Sequence, residues 1–356
     1  NGLDEESLFF QTVLIILTGT TVTLHIFNPE TDFALAHGKR QYTAPQAVRK
    51  LRQSLAALPA IWAEPGDCIL LLDEYVDTPY SRIAVERGVV IVSEIALKSL
   101  EISRVVPWGW NPDIAARLER LGVDTALMPD APALSKLRKL AHRRTTIGFH
   151  QFINAQIGYG CVDDVPAELR DIEAVEAWLD QTPDSYLKAP WSSSGRGVLH
   201  TPTMSRSAVL SWAKGIIRSQ GSVMAEVAST KSIDFASEWV CSGGTAAYSG
   251  LSVFNTDIRG GYCGNMVASD EALKSEISKH TNMLDDVIEV QRQAIDKFIA
   301  PYYNGCLGID MLCDEAGRIN ACVEVNIRHT MGFVAMSLYR LTGREMTFNP
   351  LTFKGL

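Results

Sequence analysis

Short apolar runs alternate with helical stripes along the first third of the chain. Val22–Phe27, Cys68–Leu72 and Val89–Val92 are short and largely apolar, as strands buried on both faces of a parallel sheet are. Val13–Leu17 reads the same way. Ala44–Leu58 carries an apolar stripe at helical spacing with Pro45 near its start, and Pro112–Leu121 is a helix opened by Asn111 and closed by Gly122. Strand and helix in alternation predict a parallel α/β domain over residues 20–140. Beyond it the period changes. Glu168–Leu179 is helical, Asp184–Lys188 reads as a strand, and Val198 begins a returning one. Ser205–Arg218 is a helix with a Ser N-cap, Val223–Val227 is a strand, and Ile233–Trp239 and Thr245–Phe254 read as antiparallel strands. Ala272–Ala300 is helical, in one or two segments. The predicted class is α/β and α+β.

A hairpin follows, and it carries candidate chemistry. Gly305–Asp310 places an Asp in an apolar strand, and Cys322–Arg328 places Glu324, Asn326 and Arg328 on the next. A charge inside an apolar strand needs a reason, because burying it unpaired is costly. The turn Asp314-Glu-Ala-Gly317-Arg318 fits a three-residue loop with Gly317 at the left-handed position. That register pairs Asp314 with Arg318 and Asp310 with Cys322. Alternation then brings Cys322, Glu324 and Asn326 to the face of Asp310, with diagonal neighbours roughly 7–8 Å apart. A four-residue loop sends Glu324 and Asn326 to the opposite face. Oxygen ligands on neighbouring strands suit Mg²⁺ held against phosphates. An ordinary hairpin with a stray charge is the alternative.

Composition narrows the setting. The 356 residues suffice for two or three domains. A formal charge of -8 disfavours non-specific nucleic-acid binding. Seven scattered cysteines without a CxxC pair suggest a reducing, cytoplasmic compartment and no structural zinc. The run Leu8–Phe27 is too polar for a membrane span and too acidic at its front for a signal peptide. Small-molecule partners are expected rather than nucleic acid or membrane, with a homodimer as the natural oligomer.

Other polar clusters sit at element ends. Asn28, Glu30 and Asp32 follow the first strand, where open α/β sheets bind ligands, although a helix cap and turn explain them equally. Pro107–Asn111 is an aromatic turn. The basic helix Ala133–Arg144 ends in Arg143 and Arg144. Lys188 ends a strand and is followed by Ser192-Ser193-Ser194-Gly195-Arg196-Gly197, a loop without Walker A spacing that can still fold over phosphates through backbone N–H groups.

Taken in order, the basic helix, the Lys strand with its Ser/Gly loop, the Glu-bearing strand, the helical stretch and the Asp and Glu-x-Asn-x-Arg strands resemble the ATP-grasp superfamily. The part before residue 140 is similar to the α/β domain preceding the grasp there. The resemblance implies an ATP-grasp fold of two subdomains over residues 141–356, with a small lid subdomain at about 184–227. It implies ATP and Mg²⁺, two ions in the usual arrangement, with Mn²⁺ able to substitute. Lys188 and Arg143 (or Arg144) are similar to the phosphate-binding cations, and Ser192, Ser193, Ser194, Gly195 and Gly197 to the mobile phosphate loop. Glu226 and Val227 lie where the adenine edge is bound, and Asp234 where the ribose is. Asp310, Glu324 and Asn326 match the metal ligands, and Arg328 the arginine facing the reacting carboxylate or phosphate. Two departures stand out: the Ser229–Asp234 segment is unusual, and Gly308 occupies a position where some members carry an arginine. The implied activity is an ATP-dependent ligase joining a carboxylate to an amine, or another nucleophile, through an acyl phosphate. A small-molecule kinase and a nucleotide-binding protein without turnover are the alternatives.

Overall fold

The computed structural model describes residues 22–193, 195, 197–256 and 261–352; the strand expected over Val13–Leu17 lies outside them. The first sheet is parallel, with β1 (Val22–Ile26), β2 (Cys68–Leu70), β3 (Val90–Val92) and β4 (Ile102–Pro107) in the order β3-β2-β1-β4. Leu24, Cys68 and Ile69 are fully buried, as strands covered on both faces require. β4 escapes the apolar pattern because it lies at an edge, where Ser103 and Arg104 stay exposed. The helix expected over Ala44–Leu58 is shorter, Gln46–Ser54, followed by a 3₁₀ turn Leu58–Ile61 that holds Pro59. Asn111 caps Pro112–Arg120 by accepting from the backbone N–H groups of Asp113 and Ile114.

The second sheet is antiparallel. It contains β5 (Ala167–Leu169), β6 (Ser185–Lys188), β7 (Val198–His200) and β8 (Val223–Val227) in the order β5-β8-β6-β7. Helices Ile172–Gln181 and Arg206–Gln220 bury their apolar stripes against it. β5 takes the start of the helix expected over Glu168–Leu179, because Asp171 accepts from Ala174 N–H at 2.8 Å and fixes the helix start there.

The third sheet has six antiparallel strands: β9 (Lys231–Ser242), β10 (Thr245–Thr256), β11 (Tyr262–Val267), β12 (Gly305–Asp314), β13 (Ile319–Asn326) and β14 (Met346–Phe348), in the order β13-β12-β9-β10-β11-β14. One face carries Phe235, Trp239, Ile309, Met311 and Val325 into the main core, against Thr145–Ile157 and Leu284–Phe298. The expected helical stretch over Ala272–Ala300 is two helices, Asp270–Ile277 and Leu284–Phe298. The basic helix runs from Ala131 to Leu140, so Arg143 and Arg144 fall in the turn before Thr145–Ile157. A helix at Met331–Thr342, which the sequence pattern did not single out, packs on β10 and β11. Among the described residues no helix is long and apolar enough to cross a membrane.

The hairpin register differs from the expected one. The turn is as read: Gly317 has φ +79°, and Asp314 N–H bonds Arg318 O at 3.0 Å. Leu312 pairs with Asn320, but Asp310 pairs with Glu324 rather than Cys322. Two extra residues of β13 bulge between those pairs. Backbone groups displaced there find side chains: Ala321 O accepts from Gln291, Cys322 O contacts His150 Nε2 at 3.0 Å, and Cys322 N–H donates to Asn320. Because the slip is two residues, side-chain parity survives. Cys322, inside the bulge, is fully buried with the core and lies beside Asp310 and Glu324 rather than opposite Asp310.

Candidate active site

The face of the six-stranded sheet opposite the core carries the polar residues. Asp310 stands directly across from Glu324, and Asn326 across from Gly308. The Asn326 side chain favours the charged form of Asp310. Burial, and then the Glu324 carboxylate facing it, push Asp310 well above the ordinary carboxylate range, against the pull of Arg328. Asp234 lies on the same face of β9, opposite Leu312, where its carboxylate accepts from Thr256 at 3.0 Å and pairs with Lys231.

Besides Lys231, three cations among the described residues reach this face, each against a carboxylate. Arg143 donates to Ala189 O (2.5 Å), Ser192 Oγ (2.6 Å) and Glu324 Oε1 (2.7 Å), which ties the turn before Thr145–Ile157 to the Ser/Gly loop and to β13. Arg144 points elsewhere, half exposed near Glu168, so only Arg143 joins the cluster. Lys188, at the end of β6, pairs with Glu226 on β8. Arg328 donates from Nε to Asp32 at 3.0 Å.

That last contact brings the parallel sheet into the site. Asp32 lies beyond the carboxyl end of β1, and burial raises its pKa despite Arg328. Its neighbours do other work. Asn28 donates to Gly109 O at 2.8 Å, clamping the aromatic turn, in which a side chain at Gly109 would meet Thr31. Glu30 pairs with Arg52, which also holds Asp73. Of the three polar candidates after β1, Asp32 alone meets the cluster. Trp108 packs on Phe27, Trp62 and His329 as part of the core.

In the Ser/Gly loop, Gly195 and Gly197 have φ of +72° and +77°, and Gly197 O accepts from Ala189 N–H at 2.7 Å. Among the described residues no side-chain hydrogen bond holds Ser193, and Ser194 lies outside them. A cavity of about 330 Å³ opens where Glu226 and Val227 end β8, bounded on the far side by Asp314, Arg318 and Asn320 of the hairpin. Asp234 is not in its wall.

No protein-family model matches the sequence, and no curated protein matches it. Solved structures do. Biotin carboxylase from Campylobacter jejuni, as its β,γ-ATP complex, is similar with a TM-score of 0.53 at 11% identity, over 94% of this chain and 74% of that one. N5-carboxyaminoimidazole synthetase from Staphylococcus aureus gives 0.51 at 12%, over 91% and 77%. Its ADP complex gives 0.50 at 12%, over 91% and 78%. The fold is ATP-grasp.

Within this ATP-grasp fold the donor set can be tested for a metal. Among the described residues no three His, Cys, Asp or Glu side chains converge. Asp310, Glu324 and Asn326 offer two carboxylates and an amide oxygen. That suits Mg²⁺, which keeps open positions for phosphate and water, better than Zn²⁺. Burial first, and then the Glu324 carboxylate opposite, raise Asp310, and a cation held between the two would relieve that strain. The residues fit the ion.

One residue of the site was not among the sequence candidates. Glu238 lies on β9 opposite Gly308, is 2% exposed, and accepts from Thr330 Oγ1 at 2.8 Å. Burial pushes it up to about 8, Asp310 adding to the effect. The available signal was its place four residues after Asp234, on the same face of a strand.

Proposed function

We propose that the chain is an ATP- and Mg²⁺-dependent ligase that joins a carboxylate to an amine through an acyl phosphate. The observation that carries this reading is the pairing of Asp310 with Glu324 across β12 and β13, with Arg143, Lys188 and Arg328 gathered around it. The ATP-grasp fold and the cavity beside Glu226 and Val227 support it. The grasp is assigned to residues 141–356, with residues 184–227 as its lid. Asp310, Glu324 and Asn326 would hold Mg²⁺, which neutralises charge on the phosphates as it develops. Lys188 and Arg143 bind phosphate oxygens. Arg143 also ties the Ser192–Gly197 loop to the same point, so a closed loop keeps water from the acyl phosphate. Arg328 orients the reacting carboxylate, with Asp32 fixing its guanidinium. The adenine lies against Glu226 and Val227, and Asp234 takes the ribose hydroxyls. Catalysis on this reading is positioning and electrostatics, without a protein nucleophile.

The test is Mg²⁺-dependent ADP release over a matrix of carboxylates and amines, with hydroxylamine as a trap for the acyl phosphate. Hydroxamate formed from one carboxylate supports the ligase. Nucleotide binding without ADP release for any pair refutes it.

A further inference from the structure

The charges on the cleft face do not balance. Arg143 is paired with Glu324, Lys188 with Glu226 and Arg328 with Asp32. Among the described residues of this face two acids, Asp310 and Glu238, make no ion pair; Arg328, bonded to Asp32, is the cation that acts on both. The metal reading takes up Asp310. Glu238 lies on the other side of β12, across Gly308 rather than in the Asp310–Glu324 row. A carboxyl group this deep is costly to ionise, and burial holds Glu238 largely neutral until a cation comes beside it.

Its surroundings are specific. Oε1 is held by Thr330, the N-cap of Met331–Thr342. Oε2 lies over Gly308, where a Cβ would come within 3.0 Å of it. This oxygen makes no hydrogen bond among the described residues. It is also not one of the enclosed orphan atoms, such as Glu30 Oε2 or His150 Nδ1, so Oε2 keeps a little exposed surface. Gly308 leaves the space; Gly332 admits Glu238 Oε1 and Ser252 Oγ, which a Cβ there would meet. Two hydroxyls, of Thr330 and Ser252, therefore accompany the carboxylate. Both hydroxyls lie on the Oε1 side and are already engaged, Thr330 with Phe333 N–H and Ser252 with Asn265, so Oε2 is the acceptor left for an ammonium N–H, whereas Mg²⁺ favours octahedral carboxylate, phosphate and water.

We propose that Glu238, oriented by Thr330 over Gly308, anchors a primary ammonium group of a substrate. This deepens the ligase reading and rests on it: a cation for Glu238 arrives with the amine or with an amino acid that supplies the carboxylate.

The test is calorimetric titration of the full chain loaded with Mg²⁺ and AMP-PNP. The probes are ethylamine, putrescine and glycinamide as simple amines, glycine and alanine as zwitterions, and ethanol and glycolate as hydroxyl counterparts. At least one ammonium compound is expected to bind while its hydroxyl counterpart does not. Glu238→Gln, which keeps the volume and an acceptor for Thr330, should weaken that binding about tenfold or more. AMP-PNP affinity and its Mg²⁺ dependence should stay within about twofold. Glu238→Asp, which keeps the charge but withdraws it, should fall between. Binding of simple amines alone puts the ammonium on the nucleophile, and binding of zwitterions alone puts it on the carboxylate substrate; either supports the anchor. Three results overturn it: no ammonium compound binds, Glu238→Gln leaves its binding unchanged, or Glu238→Gln instead shifts the Mg²⁺ dependence, as a metal ligand would. If AMP-PNP itself does not bind, the ligase reading falls and the anchor with it.

Discussion

Glu324→Gln separates the metal role of the site from its structural role. The substitution keeps the volume and removes one of two facing carboxylates. Arg143 loses its contact at 2.7 Å but keeps Ala189 O and both oxygens of Ser192, so it is not orphaned. The stability cost is therefore that of one charged hydrogen bond replaced by a neutral one, about 1–2 kcal/mol. The effect on Mg²⁺-nucleotide should be larger, because one of two anionic ligands is gone. Truncating one partner of a buried charge pair costs about 2–5 kcal/mol, or roughly thirtyfold to several-thousandfold in affinity. Titration with AMP-PNP in Mg²⁺ and in EDTA, beside a thermal melt, reads both numbers. Asp310 should titrate lower in the variant, since Glu324 is the second cause of its raised pKa after burial. Mg²⁺-dependent affinity within twofold of wild type, or an equal loss in EDTA, would refute the metal assignment.

Further expectations concern other parts of the molecule. Lys188→Met keeps the aliphatic stem and removes the charge paired with Glu226, so nucleotide affinity should fall about tenfold or more; an unaltered Kd would refute its phosphate role. Gly317→Val places a β-branched residue at φ +79° with a backbone oxygen of His280 3.1 Å from the new Cβ, and should cost about 1–2 kcal/mol or more in a denaturant melt; no loss would mean the turn is not what sets the hairpin. Burial lowers His329 from 6.5 to about 4. The unfolded chain therefore takes up a proton below pH 6.5 that the folded one refuses until about 4, so stability is intact above 6.5 and falls between 6.5 and 4, by at most about 3 kcal/mol. His329→Gln should flatten that limb relative to wild type; an unchanged acid slope would exclude His329 as its source.

Much of this arrangement could be read from the sequence because it depends on parity and punctuation. The alternation that puts Ile309 and Met311 in the core puts Asp310 on the other face, and Gly317 announces the turn. Asn111 and Ser205 mark their helices by cap chemistry that holds in the structure. What could not be read depends on distance in the chain. Arg143 and Arg144 are adjacent and alike, and only packing against Ala189 and Ser192 selects the first. Asp32 meets Arg328 across nearly the whole sequence. The β13 bulge is stabilised by His150 and Gln291 from two separate helices, so no local pattern foretells it. Glu238 looks like any polar position of an antiparallel strand until Gly308 and Gly332 are seen to make room for it.

The bulge also bears on how this hairpin tolerates changes in length. A deletion of one residue between Asn320 and Glu324 would reverse every side chain beyond it, burying carboxylates in the core and exposing Val325. A deletion of two would remove the bulge and restore a regular ladder, with Leu312 still opposite Asn320, Asp310 still opposite Glu324 and each residue on its own face. Relatives that differ here should therefore differ by an even number of residues. Paired deletions therefore offer a way to remove the bulge, and with it the contacts of His150 and Gln291, while leaving the oxygen ligands in register.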